Sequence, residues 1–174
     1  GPNEGKKINI KNKIPLKTNR EGKNNYTANV SFEEKNIIRV LKGPQFDYFS
    51  ELSKKEFFSK EYKITNLTDR MGMRLEGKIL KNIVSTNIRS EGITKGAIQV
   101  PADGQPIVLL TDHPTIGGYP KIANVISADY DLLVQKIPGT NISFKCIELQ
   151  EAEKLYKEWC SNISKIVKNI KKIK

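Results

Sequence analysis

The chain has 174 residues and a net charge of +11, with 37% hydrophobic and 28% charged residues. This length predicts one domain, or one domain with an appendage, and allows a core that needs no disulfide or metal. The charge lies mostly at the ends: residues 1–24 carry +5, residues 151–174 carry +4 and the rest only +2. A nucleic-acid groove would concentrate basic and aromatic residues on the folded body, so no nucleic-acid binding is predicted.

The composition also argues against a membrane protein and a metal site. No apolar run approaches the ~20 residues that span a bilayer, and no signal-peptide core is present. His113 is the only histidine, and Cys146 and Cys160 form neither a CxxC motif nor a disulfide framework. We therefore predict no metal, no membrane association and a cytoplasmic location.

The two ends of the chain are expected to lie outside the main domain. Gly1 and Pro2 stand where a start methionine would be and are interpreted as the scar of a cleaved tag. Residues 1–24 are rich in lysine and asparagine and predict a flexible, basic lead-in. Residues 25–147 are predicted to form the domain, and residues 148–174 a C-terminal helix.

Short apolar segments separated by turn residues predict a mainly β protein. Strands are predicted at 36–41, 62–65, 74–75, 97–100, 107–111, 122–127 and 142–147. Pro44 can occupy the first turn of a helix that carries Phe46, Phe49 and Leu52 on its apolar face, and residues 128–135 predict another helix. Because no βαβ rhythm is present, these strands indicate a closed or sandwich-like β body.

The C-terminal helix has the clearest pattern. Its apolar residues recur at spacings of three and four: Leu149, Ala152, Tyr156, Trp159, Cys160, Ile163, Ile166, Val167, Ile170 and Ile173. Packing against the core is one interpretation of this stripe. The part beyond Ile163 could instead extend past the body and dock on a partner chain.

The region 69–126 is unusually rich in glycine. The positions are Gly72, Gly77, Gly92, Gly96, Gly104, Gly117 and Gly118. Glycine weakens strand interiors, so this density indicates positive φ, bulges or a close approach of the backbone to another group. Polar side chains are interleaved with these glycines, and together they predict a binding site.

Charged and amide side chains in this region are the candidates for substrate binding. The predicted residues are Arg70, Arg74, Gln99, Gln105, Thr115, Gly117, Gly118, Tyr119 and Lys121. The cations would bind a carboxylate or phosphate, the amides would orient a substrate amide, and the glycine loop would present backbone N–H groups. The alternatives are a tight turn without a ligand and arginines that pair with nearby carboxylates.

Glu91 and Asp112 are the candidates for proton transfer, because each carboxylate lies in a glycine-flanked segment. The alternative for each is a solvated or salt-bridged side chain. The sequence contains no Ser-His-Asp order, no GxSxG motif and no GxxxxGK[ST] loop. Serine-hydrolase chemistry and ATP binding through that loop are therefore not predicted.

Five segments resemble the biotin-dependent carboxyltransferase family, which includes the carboxyltransferase domain of urea amidolyase, the C subunit of 5-oxoprolinase (allophanate hydrolase subunit 2) and KipA-like proteins. These segments are 69–77 (DRMGMRLEG), 90–93 (SEGI), 96–101 (GAIQVP), 104–110 (GQPIVLL) and 117–122 (GGYPKI). Shorter similarities lie at 41–45 and 149–153, so the resemblance covers roughly residues 36–157. It implies a cyclophilin-like β-barrel with short helices.

The chain departs from the family pattern in three respects. Met73 stands where the first motif usually has an aromatic residue, and 113–116 (HPTI) replaces the usual Gln-Thr-Thr before Gly-Gly-Tyr. The long N-terminal half of family members is missing. The resemblance implies an active site that draws on both halves and on a partner protein, so we expect this isolated chain to be inactive.

The resemblance implies a hydrolase or carboxyltransferase component, most like the C subunit of the ATP-dependent 5-oxoprolinase. Such a protein would help convert 5-oxoproline to glutamate with a KipI-like partner that resembles the B subunit of 5-oxoprolinase. No cofactor is expected to bind this chain directly, and ATP or carboxybiotin would enter only in the full complex. The alternatives are a non-catalytic KipA-like interaction module and a component of a biotin-dependent urea-type carboxyltransferase.

Overall fold

Seven short strands close into a barrel in the computed structural model, which describes residues 25–27 and 35–173. In chain order the strands are β1 (Asn25–Thr27), β2 (Ile37–Lys42), β3 (Tyr62–Ile64), β4 (Gly72–Glu76), β5 (Glu91–Gly92), β6 (Ala97–Gln99), β7 (Ile107–Leu109), β8 (Ile116–Gly117), β9 (Lys121–Val125), β10 (Asn141–Cys146) and β11 (Lys171–Ile173). The order around the barrel is β10-β2-β9-β6-β7-β4-β3, and β3 pairs with β10 to close it. The contact of β10 with β2 is parallel, and the other barrel contacts are antiparallel.

The described residues form three α-helices: α1 (Glu51–Ser59), α2 (Ser127–Val134) and α3 (Leu149–Lys168). Helix α1 begins later than Pro44, because Phe46–Tyr48 forms only a 3-10 turn. Ser50 is the N-cap of α1, and its hydroxyl accepts a hydrogen bond from the Ser53 N–H at 3.2 Å. The prediction of a mainly β barrel with short helices and a C-terminal helix is confirmed.

The barrel interior is filled by alternate residues of its strands. Ile98, Val108 and Met73 face one another across β6, β7 and β4, and all three are buried. At one end of this core the rings of Phe57 and Phe144 stack with centroids 4.7 Å apart. The core therefore attaches α1 to the barrel through aromatic packing.

The intervening residues of the same strands face the outside of the barrel. Gln99 is opposite Ile107 on β7 and opposite Lys121 on β9, and Ile107 is opposite Arg74 on β4. Side chains directly opposite in an antiparallel pair lie on the same face, so these four residues form one row across the outer surface. The pairing shifts by one residue between Ile98 and Gln99, which brings Lys121 into this row.

A two-stranded ribbon of β5 and β8 covers part of this outer surface. Its register pairs Glu91 with Gly117 and Gly92 with Ile116. Beneath it, Ile93, Ala97 and Leu109 form a small apolar cluster that is separate from the barrel core. The ribbon thus lies outside the barrel and contacts the row at Gln99 and Lys121.

The C-terminal helix is shorter than predicted. It ends at Lys168, and the N–H groups of Asn169 and Ile170 make bonds of the 3-10 type to Ile166 and Val167. Strand β11 follows and pairs with β1 in a two-stranded antiparallel sheet. This small sheet belongs to a compact unit distinct from residues 31–165, which contain the barrel.

The predicted lead-in at 1–24 lies outside the described residues. None of the helices in the described part of the chain combines the length and hydropathy needed to cross a bilayer.

Candidate functional site

Lys121 is a buried cation at the start of β9. Its side chain is only 6% exposed, and its ammonium group forms an ion pair with the Glu91 carboxylate of the ribbon. The backbone here is crowded, since a Cβ on Gly43 would come within 2.2 Å of the Lys121 carbonyl oxygen. Glycine at position 43 thus allows the turn after β2 to pack directly on β9.

Gln45 links the backbone of Lys121 to the carboxylate of Glu91. Its side-chain oxygen accepts the Lys121 N–H at 3.1 Å, and its side-chain nitrogen donates to Glu91 Oε1 at 2.7 Å. Gln45 is 8% exposed, so both bonds form in a shielded environment where they are stronger than in water. The three side chains form one connected polar cluster, which we call the Lys121 cluster.

The Lys121 cluster keeps Glu91 ionised. The hydrogen bond from Lys121, and then the one from Gln45, hold the pKa of Glu91 below its usual value, although its side chain is 43% exposed. Because the pKa is lower in the folded state, the stabilisation by this pair is present above the pKa of an unfolded glutamate. It is lost as the pH falls through the lowered pKa.

Gln99 contributes an unused hydrogen-bond donor beside this cluster. It is 7% exposed, and its side-chain nitrogen has no hydrogen-bond partner among the residues that the structure describes. A Cβ on Gly117 would lie 2.7 Å from this nitrogen, so only glycine leaves the amide its present position. Lys121 has three ammonium donors, and one carboxylate oxygen is its acceptor within the described ranges. The site is therefore rich in buried donors and poor in acceptors.

The close fit of Gly117 over Gln99 leads to a prediction. Gly117→Ala should displace the Gln99 amide and reduce the free energy of unfolding by about 1 kcal/mol, the low end of the cost of overpacking, because the end of a flexible side chain can move aside. Gly92→Ala is the matched control on the same ribbon, since a Cβ there has no atom within 4 Å. Urea denaturation of both variants would check this, and equal stabilities would contradict it.

Arg70 and Asp112 pair with each other. Arg70 Nε donates to Asp112 Oδ2 at 2.6 Å, and the terminal guanidinium nitrogen contacts the same oxygen. The Arg70 side chain is otherwise exposed, at the rim of an open depression of about 390 Å³ whose wall includes Met73 and Tyr130. Arg70 was predicted to bind a substrate anion, with a pair to a nearby carboxylate as the alternative. The structure shows the pair, with Asp112 as the carboxylate.

The remaining predicted site residues lie in different settings. Both side-chain atoms of Gln105 bond the backbone of Gly77, at 2.9 and 3.2 Å. Arg74 is exposed on β4 and contributes to a lowered pKa of Asp69, whose main causes are N–H bonds from Gly72 and Met71. The carbonyls of Thr115, directly before β8, and Gly118, directly after it, accept backbone hydrogen bonds, and Tyr119 is exposed.

The structure therefore brings together Glu91, Gln99, Gly117 and Lys121, and it adds Gln45, which had not been predicted as a site residue. The signal for Gln45 was its place directly after Gly43 and Pro44, in a segment of the family resemblance. In the part of the chain that the structure describes, no three His, Cys, Asp or Glu side chains cluster as metal ligands would.

Comparison with known proteins gives a consistent group of relatives. The sequence model for the carboxyltransferase domain, subdomain A and B, matches residues 1–146. The chain is 40% identical over 121 residues to the 5-oxoprolinase C subunit of Haemophilus influenzae, and 42% identical over 119 residues to that of Escherichia coli. These alignments cover 70% and 68% of this chain but 39% and 38% of those proteins, so the chain spans about two-fifths of their length.

A solved structure supports the same grouping. The crystal structure of the K. lactis urea amidolyase superimposes with a TM-score of 0.72 at 26% sequence identity. The superposition covers 79% of this chain and 9% of that one. The barrel described above is therefore one small part of a much larger protein in that relative.

Proposed function

The chain belongs to the family of carboxyltransferase domains with subdomains A and B, and from this premise we propose that it forms part of a protein of the 5-oxoprolinase C-subunit type. Together with partner proteins it would open the ring amide of 5-oxoproline to glutamate, coupled to ATP. The two relatives that are about 40% identical support this choice, since both carry that name. The partner we propose is a KipI-like protein that resembles the B subunit of 5-oxoprolinase.

The surplus of buried donors at Lys121 and Gln99 is the observation that supports amide chemistry at this site. Attack on an amide carbonyl places negative charge on its oxygen, and preorganised donors in a shielded site stabilise that charge. We assign this role to the Lys121 ammonium and the Gln99 amide. The ligand that satisfies both would be a carbonyl or carboxylate oxygen of the substrate.

Glu91 is the group to which we assign proton transfer. Like any glutamate it is a carboxylate near neutral pH, the form that a general base requires, and its hydrogen bonds with Gln45 and Lys121 fix its position. Asp112 remains the second candidate, although its Oδ2 is held by Arg70. ATP or carboxybiotin would be brought by the complete assembly, and we assign neither of them a site on these residues.

The test is a reconstitution. The full-length protein is combined with its partner proteins, 5-oxoproline and ATP, and glutamate is measured. Glutamate production that requires this protein supports the proposal. A well-folded complex without turnover would exclude the substrate, and transfer of the carboxyl group from carboxybiotin to urea in its place would assign the chain to the urea-type reaction.

A second candidate function is that of a non-catalytic, KipA-like interaction module. The observation in its favour is helix α3, on which the large apolar residues Leu149, Tyr156 and Ile163 are exposed. A monomeric protein seldom leaves such a stripe in water, and an apolar helix face is a common docking element. The two functions are compatible, because a catalytic component of a complex also needs a surface for its partner.

The exposed stripe of α3 leads to a further prediction. The double variant Tyr156→Ser, Ile163→Ser should weaken binding of the KipI-like partner by roughly tenfold or more, since buried interface anchors contribute most of the affinity. The control is Lys154→Ser on the opposite face of α3. Isothermal titration calorimetry measures the affinity, and circular dichroism checks the fold. Equal affinity for the two variants would exclude this stripe as the docking surface.

A further inference from the structure

We infer that Gln45 is a positioning residue, which holds Glu91 Oε1 against the Lys121 ammonium and leaves Glu91 Oε2 facing the substrate. The inference rests on the proposed function of the Lys121 cluster. Gln45 is not among the residues that the sequence predicted for the site. Three features support this role: the bonds that fix Gln45, the shortness of the strand that carries Glu91, and the bonds to the Glu91 carboxylate.

The position of Gln45 is fixed from several directions. Gly43 N donates to Ile122 O at 2.9 Å, and Gln45 N donates to Lys121 O at 3.3 Å. The Lys121 N–H in turn donates to the side-chain oxygen of Gln45 at 3.1 Å. The turn after β2 is therefore bonded to the first residues of β9 by both backbone and side chain. With the side-chain oxygen held by the Lys121 N–H, the side-chain nitrogen of Gln45 is directed toward Glu91.

Glu91, by contrast, has little local structure to hold it. Strand β5 has two residues, both exposed, and pairs only with the two-residue strand β8. A carboxylate on such a ribbon would sample several rotamers in water. Donors outside the ribbon can select one of them, and Gln45 Nε2, which lies 2.7 Å from Glu91 Oε1, is one of the two that do so.

The two donors act on the same oxygen. Gln45 Nε2 and Lys121 Nζ both bond Glu91 Oε1, and Oε2 has no hydrogen bond from any residue that the structure describes. The carboxylate is thus held at one oxygen and open at the other. A general base needs this arrangement, because the oxygen that accepts the proton must be free and correctly placed.

An amide is the side chain that can do both tasks. It carries an acceptor for the Lys121 N–H and a donor for Glu91. Methionine at position 45 has a similar length but neither bond. Glutamate at position 45 keeps the acceptor for the backbone N–H, but it lacks the donor and places a like charge beside Glu91. The variants Gln45→Met and Gln45→Glu therefore separate the two bonds.

The experiment follows the carboxyl carbon of Glu91 by NMR as the pH is changed. Both variants should raise the pKa of Glu91, because a donor to its ionised form is lost, and Gln45→Glu should raise it more. In the complete complex with 5-oxoproline and ATP, kcat should fall by about 100-fold with little change in KM, since misplacing a reacting group by about 1 Å has an effect of this size. Gln135→Met, an exposed glutamine after α2, is the control.

The two readouts distinguish the inference from the function on which it rests. An unchanged pKa of Glu91 in folded Gln45→Met or Gln45→Glu protein would overturn the positioning role, whatever the turnover. A raised pKa together with unchanged turnover would support the positioning and overturn the proton-transfer role of Glu91. A raised pKa with a lower kcat supports both. Gln45→Glu retains a side-chain oxygen that accepts the Lys121 N–H. It is therefore the variant to measure if Gln45→Met fails to fold.

Discussion

Under the proposed function, Lys121→Met is expected to lower turnover of 5-oxoproline in the complete complex by about 100- to 1,000-fold, the usual effect of removing one donor to a developing oxyanion. The ammonium is buried, so bulk water cannot replace it. Methionine fills a similar volume with a flexible, apolar side chain, and the packing beneath the ribbon should survive. The expected loss is therefore one of activity and not of fold.

The measurement combines steady-state kinetics with thermal unfolding of the same preparations. Lys145→Met on β10 is the control, because Lys145 is exposed and lies outside the Lys121 cluster. A second check is the double variant with Glu91→Gln. Residues that act as a unit are strongly non-additive, so the double variant should lose little more than Lys121→Met alone. Turnover within a factor of two of the wild type would place the reaction elsewhere in the complex.

Most of the barrel was predictable because its strands carry their own signal. In β2, for instance, Ile38 and Val40 alternate with more exposed neighbours and point into the core. Among the strands that the sequence does not predict, β5 and β8 have two residues each and pair across more than twenty positions of the chain. A two-residue strand has no period to detect, so its existence depends on tertiary pairing alone.

The sequence predicts which region of the chain holds the site, but it does not predict which side chains contact one another there. Gln99 and Gln105 both flank the same turn and looked equivalent in the sequence. In the structure the Gln99 amide lies against Gly117 of the ribbon, whereas Gln105 bonds the backbone of Gly77. The difference arises because strand pairing decides which face each residue occupies, and the one-residue shift after Ile98 cannot be read from composition.

The two helix boundaries that differ from the predictions have local causes. Pro44 is compatible with a helix start, but the hydrogen bonds that Gly43 and Gln45 make to β9 hold the chain in a turn, and Ser50 then caps α1. At the other end, the apolar stripe of α3 continues in the sequence to Ile173. Residues 171–173 instead pair with β1 as strand β11. The spacing of apolar residues in the sequence does not reveal this pairing.

The second large effect is expected for the stability of the barrel unit. Asp129, in the first turn of α2, is 2% exposed and accepts hydrogen bonds from the backbone N–H of Arg39 at 2.8 Å and from Arg39 Nε at 2.9 Å. The guanidinium also bonds the other carboxylate oxygen. This pair attaches α2 to β2, directly before the turn that carries Gln45.

Arg39→Met should lower the free energy of unfolding by about 2–3 kcal/mol, because it leaves a buried carboxylate without its counter-charge, while the 31% exposure of the Arg39 side chain keeps the loss below that of a fully buried pair. The double variant Arg39→Met, Asp129→Asn removes the charge as well, and it should recover at least about 1 kcal/mol of that loss. Urea denaturation measures all three proteins, with Arg89→Met as the control for loss of an exposed arginine. Two results would contradict this account: a loss of less than about 1 kcal/mol in Arg39→Met, or a double variant that is less stable than Arg39→Met. Either would show that Arg39 stabilises the protein by packing and not by neutralising the charge of Asp129.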